Sequence, residues 1–192
     1  MKLKWIFAVA LLALLLVGCG TSTNNKNGNS TSPNYDFENI TEGLDEDGQF
    51  SFKLTSEKAV YQVGEPLKIK AELTYIGDED SMKISHAASP IWLLTTNLTE
   101  DYQFEAAMNE PLIFTELKKD VPFVQEYQFS GGSYYEGAPG KPYSEELLMK
   151  MAEGKFPPGQ YEIKGRTDFA IGEDIMTERV NLETSIIFTV IE

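Results

Sequence analysis

His86 is the single histidine of a 192-residue chain, so it is the one imidazole that could serve as base to a nucleophile. Ser85 precedes it and Ser89 follows. Neither serine sits in the Gly-x-Ser-x-Gly turn that exposes an activated hydroxyl. His86 stands instead at an expected strand end beside Ala87 and Ala88, which favours a structural or edge histidine. A hydrolase would require it in a cleft beside a serine or a carboxylate. Zinc would need several cysteine or histidine ligands, and His86 alone is at hand once Cys19 is set aside. Calcium is conceivable at Asp45-Glu46-Asp47-Gly48 or at Asp78-Glu79-Asp80. Aligning Gly48 with the loop glycine of an EF-hand puts Gly43 and Leu54 where the first and last carboxylates should be, so that motif fails and solvated acidic turns are expected. The acidic residues offer no carboxylate pair marked out for glycoside hydrolysis. Phosphate-loop and dinucleotide fingerprints are absent. The chain is expected to be no enzyme and to hold no cofactor and no metal.

Ser130 to Tyr143, SGGSYYEGAPGKPY, is more suggestive. Tyr134, Tyr135 and Tyr143 stand among glycines and prolines, a composition common in binding loops because tyrosine offers large amphipathic contact area at low entropic cost. These three are the candidate partner-binding residues. The tyrosines could equally fold back and cover the end of the core. Trp92 is expected in the core of its strand.

Cys19 is the only cysteine. Lys2 and Lys4 precede an unbroken apolar run from Trp5 to Val17. At about 1.5 Å per residue that helix would span roughly 20 Å, short of the bilayer core of about 30 Å, so it reads as the hydrophobic region of a signal peptide. Leu16-Val17-Gly18-Cys19 resembles the bacterial lipobox. That resemblance implies cleavage after Gly18, lipid attachment at Cys19, and residence on the extracytoplasmic face of a cell membrane held by acyl chains. Cleavage removes two of the 16 basic residues and no acid, leaving 14 against 30 and a net charge of −16. Nucleic-acid binding needs clustered lysine and arginine, so no nucleic-acid partner is expected. Gly20 to Asn34 has no apolar residue larger than proline and behaves as a tether reaching about 20 Å. Tyr35 to Gln49 is acidic and sparsely apolar, and either packs partly on the domain or lengthens that tether. The division is a signal peptide over 1–18, lipidated N-terminus and tether over 19–49, and one domain over 50–192.

From Phe50 the pattern turns to period two. Phe50, Phe52 and Leu54 alternate with polar residues, as do Leu67, Ile69, Ala71, Leu73 and Tyr75, which predicts half-buried strands. Met82 to His86, Ile91 to Thr95, Leu112 to Leu117 and a run through Phe123, Tyr127 and Phe129 are further candidates. Tyr161 to Phe169 and Leu182 to Val190 alternate clearly. Ser144 is a good N-cap, Glu145 and Glu146 suit a helix start, and Gly154 with Pro157-Pro158 ends the helix. Short strands with one helix argue for a β-sandwich.

Tyr61-x-x-Gly64-Glu65-Pro66, the strand after it and the turn Gly77-Asp78-Glu79-Asp80 look like the opening of bacterial immunoglobulin-like modules, and Pro158-Gly159-Gln160-Tyr161 with the last strand like their closing. In order and spacing, residues 50 to 192 resemble the intracellular proteinase-inhibitor family of Gram-positive bacteria. The resemblance implies a mainly β fold, an immunoglobulin-like antiparallel β-sandwich, with the short helix (about 144–153) before the last two strands. No inhibitory residue is carried over. The functional expectation is a lipid-anchored extracytoplasmic binding or accessory module engaging a protein partner. The alternatives are a protease inhibitor presenting the 130–143 loop and a small-ligand or calcium-binding envelope module.

Overall fold

The computed structural model describes residues 36–105, 108–174 and 179–192. The signal segment, Cys19 and the tether through residue 35 lie outside the described residues.

Alternation writes the strands. In β2 (Phe50–Ser56) and β4 (Ile69–Tyr75) every second residue is buried, because one face of each lies on the core and the other meets solvent. With β1 (Glu42–Glu46) and β8 (Phe123–Glu126) they form an antiparallel sheet in the order β1-β2-β4-β8. The second sheet runs β3 (Val60–Gln62), β11 (Glu183–Ile191), β9 (Gly159–Ile171), β5 (Ser81–Asn97), with β6 (Tyr102–Phe104) and β7 (Ile113–Lys118) sharing the outer edge of β5. β10 (Arg179–Val180) pairs with β9. The pairings are antiparallel except β3 with β11, which is parallel; the expected all-antiparallel sandwich is thus a sandwich with one mixed sheet.

The two sheets face each other across an apolar core. Phe50 meets Phe169 of the opposite sheet edge-on at 5.0 Å, a favoured aromatic geometry. Gly165 of β9 permits the closest approach, since a Cβ there would lie 2.8 Å from the Phe52 ring. The helix α1 (Glu145–Ala152) precedes β9 and is capped by Ser144, whose hydroxyl accepts from the Leu147 N–H at 3.2 Å. Met151 is its fully buried anchor. The mainly β sandwich with one short helix before the closing strands is the observed fold.

Two features differ from the sequence reading. The sheet begins inside the segment assigned to the tether over 19–49: β1 pairs with β2 from Glu42↔Thr55 to Glu46↔Ser51, and Ile40 exchanges backbone hydrogen bonds with Ile187 at 2.8 and 2.9 Å. Backbone pairing holds this acidic stretch, and Gly43 lets it lie against β11, where a Cβ would come within 2.7 Å of the Ser185 carbonyl. Its outward carboxylates show nothing of this in hydropathy. Second, the runs 82–86 and 91–95 are parts of one 17-residue strand, β5.

Candidate functional site

β5 joins those two runs through a bulge. His86 faces Phe169 of β9 and Ile91 faces Thr167, so five steps along β5 match two along β9. An odd number of extra residues reverses the phase of a strand. His86 and Ile91 therefore both point to the core, and Trp92 points away from it, opposite Arg166. The expectation of a core Trp92 is corrected accordingly. The ring is half-buried on the outer side of the sheet with the Arg166 guanidinium 5.2 Å from its centroid, a cation–π contact.

Trp92 stands between two clefts. The larger, about 530 Å³, opens between the sheets and is lined by Ser89, Trp92, Leu94, Met108, Gln125 and Gln128 among others. The smaller, about 330 Å³, is lined by Ser85, Trp92, Glu110, Leu112, Asp168 and Arg179. The larger lies where β5 and β8 are clasped at two points. The Ser89 hydroxyl donates to Gln125 Oε1, and the Thr95 hydroxyl pairs with that of Tyr127 at 2.7 Å. Six steps of β5 separate those clasps against two from Gln125 of β8 to Tyr127 just beyond it, and the cleft lies beside this mismatch. Burial pushes the Tyr127 phenol well above its ordinary value, so it stays a neutral hydrogen-bonding group.

His86 lines the smaller cleft with Ser85 and Asp168, which is the neighbourhood a hydrolase would need. Its bonds point elsewhere. Nδ1 lies 2.8 Å from the Ala87 carbonyl, which can only accept, so Nδ1 carries the proton and Nε2 accepts from the Thr115 hydroxyl at 2.8 Å. Burial lowers the pKa, with the Ala87 bond opposing, and the neutral ring ties β5 to β7. Asp168 is ion-paired with Arg179 rather than with the imidazole. Ser85 is 1% exposed and its Oγ has no hydrogen-bond partner.

The 130–143 loop divides its tyrosines between two tasks. Tyr143 packs 4.7 Å from Phe104 and 6.0 Å from Tyr102, continuing a row of rings through Phe129, Phe156, Tyr161 and Phe188. Burial, and secondarily the Glu105 charge, raise its phenol pKa. It covers the core. Tyr134 rests edge-on against Tyr143 at 6.3 Å and is 39% exposed, whereas Tyr135 is 61% exposed. Tyr135 opens a turn closed by the Ala138 N–H on its carbonyl at 2.9 Å, with Gly137 at φ 93°, the position of a type II turn that favours glycine. The Lys141 N–H on the Asp101 carbonyl at 2.7 Å fixes the far side of the loop.

The acidic stretch Asp45 to Gly48 serves the backbone. The Asp47 carboxylate accepts from the Gln49 and Phe50 N–H groups, both at 2.8 Å, and Asp45 accepts from that of Glu183 at 2.8 Å. Among the described residues no group of three potential ligands converges as a metal site, and no helix is long and apolar enough to cross a membrane. Sequence reasoning weighed Ser89 only as a nucleophile and missed Gln125 and Gln128. Pro90 was the available signal, since a proline within an apolar strand marks a bulge or an edge. Comparison with protein-family models, curated proteins and solved structures found no match to this chain.

Proposed function

We propose that the chain is a non-catalytic, lipid-anchored module on the extracytoplasmic face of a cell membrane, acylated at Cys19, that engages a protein partner through Tyr134 and Tyr135. The observation that carries this reading is the exposed Tyr135 beside Tyr134, which rests on Tyr143, in a loop fixed at Asp101. A large aromatic surface already held in place loses little entropy on binding. The basic start, short apolar run and Leu-Val-Gly-Cys sequence support the anchor. Such a fixed loop would also suit the protease-inhibitor reading, in which the partner is a protease.

The test is capture from solubilised envelope by the full detergent-purified chain beside its Tyr134→Ala/Tyr135→Ala variant. One protein retained by the wild type and lost by the double variant is the expected result, and its identity separates an accessory module from an inhibitor. Equal capture by both would remove the tyrosines from the site. For the anchor, labelled palmitate should enter the wild type and not Cys19→Ala.

A further inference from the structure

β8 ends its sheet, and its outer edge borders the larger cleft. Phe123 to Glu126 pair with Leu73 to Lys70 of β4, and the Tyr127 N–H donates to the Ile69 carbonyl at 2.9 Å. Backbone groups alternate sides along an antiparallel ladder. Tyr127 and Gln125 therefore face β4, while the N–H and C=O of Val124 and Glu126 face outward. Among the described residues those outward groups have no hydrogen-bond partner. Val124 is 49% exposed and Glu126 is exposed. Natural edge strands are usually covered, charged or shortened to prevent pairing with another chain; here the free edge adjoins a cleft of about 530 Å³, within the size range of ligand sites.

The walls indicate what fits. Gln125, Gln128, Asn109 and Ser89 supply neutral donors and acceptors, while Trp92 and Met108 supply an apolar surface. Glu126 is the one charged residue of the described lining and, among the described residues, makes no ion pair; Lys70, opposite it on β4, is paired with Glu72. An extended peptide satisfies all three conditions: its backbone pairs with Val124 and Glu126, alternate side chains enter beside Trp92, and a basic residue meets Glu126. We propose that the outer edge of β8 takes an extended segment of a partner protein, apolar at alternate positions and carrying lysine or arginine, as a fifth strand of the four-stranded sheet. This rests on the reading of the chain as a protein-binding module but uses a different surface from the tyrosine turn.

The experiment pans a phage-displayed library of random linear peptides on the full chain in detergent. The winning peptide, chosen free of tryptophan, is then titrated against the chain, Glu126→Pro, Glu126→Gln and Tyr134→Ala/Tyr135→Ala, each carrying Trp5→Phe so that the emission read is that of Trp92. Proline at position 126 removes an outward N–H, which an edge strand tolerates, together with the carboxylate, whereas Glu126→Gln removes the charge alone, so the difference between the two variants reads the backbone pairing. The expected result is an enriched peptide alternating apolar and basic residues, bound about fivefold to tenfold more weakly by Glu126→Pro, weakened by Glu126→Gln, and unchanged by the tyrosine pair. If Glu126→Pro fails to fold, Glu126→Gln and the Trp92 emission shift decide alone. No enriched peptide, a dissociation constant indifferent to both Glu126 variants, or an unshifted Trp92 would overturn the proposal. Loss of binding only in the tyrosine variant would also overturn it, in favour of the loop. Self-association of the chain abolished by Glu126→Pro would overturn it in favour of a second copy. A failed envelope capture with intact peptide binding would sink the tyrosine site and leave the β8 edge standing.

Discussion

Ser85 and Ser56 are both buried at strand positions, 1% and 4% exposed, yet replacing them by alanine should move stability in opposite directions. Ser56 Oγ donates to the Lys58 carbonyl at 2.8 Å and pairs with the Tyr61 hydroxyl at 2.8 Å, itself buried. Its removal strands a carbonyl and weakens the hold on a phenol, costing about 1–3 kcal/mol. Ser85 Oγ has no partner, so its hydroxyl was desolvated without return, and Ser85→Ala should recover about 1 kcal/mol. For a domain of this size that is a rise in Tm of roughly 2–4 °C, against a fall of similar or larger size for Ser56→Ala. Urea unfolding of the two variants beside the wild type reads both signs, with unchanged m-values showing that the denatured state is not the cause. Ser85→Ala as destabilising as Ser56→Ala would refute the reasoning, since it would mean that Ser85 Oγ is satisfied in solution.

Gly165→Ala should destabilise the fold by about 1–3 kcal/mol, because the added Cβ meets the Phe52 ring at 2.8 Å between the sheets; a neutral urea midpoint would show that the sheets yield there. His86 is held neutral by burial with its pKa lowered, so below about pH 6.5 the unfolded chain binds a proton that the folded chain refuses, and stability falls as pH falls through that range. His86→Gln should flatten this slope in urea midpoints measured from about pH 7.5 to about 5.5, across the histidine range. Tyr143→Ala should release Tyr134 from its ring contact and lower Tm by several degrees, whereas Tyr135→Ala, exposed in its turn, should leave Tm within about 1 °C.

The strands that could be read from the sequence are those with one face on the core. Phe50 to Leu54, Ile69 to Tyr75 and Tyr161 to Phe169 alternate because burial alternates, while Ile186, Phe188 and Val190 alternate in type although Thr189 between them is buried too. β1 escaped because its stabilisation is backbone pairing on an acidic, outward-facing stretch, which leaves no mark on hydropathy. The helix was legible from local rules, Ser144 before and Gly154 after. Of the candidate residues, Tyr134, Tyr135 and Tyr143 share a composition but not an environment, and only packing against Phe104 separates the one that covers from the one that is presented.

The β5 bulge is where alternation fails and where the cleft forms, and the two have one cause. Continuing the phase of Ile84 and His86 would bring Trp92 inward; the extra residues at Ala87 to Pro90 bring Ile91 inward instead and turn the indole out beside Arg166. The same slack sets the mismatch between the Ser89–Gln125 and Thr95–Tyr127 clasps, beside which the cleft lies. Removing the slack would act on the cleft and not on the indole. Deleting Ala87, Ala88 and Ser89 would bring five steps on β5 down to the two on β9, leave Ile91 inward opposite Thr167 and Trp92 outward opposite Arg166, remove the Ser89–Gln125 clasp and close the space. The larger cleft is thus a product of register, which is why no short motif announced it and why its walls come from strands far apart in the chain.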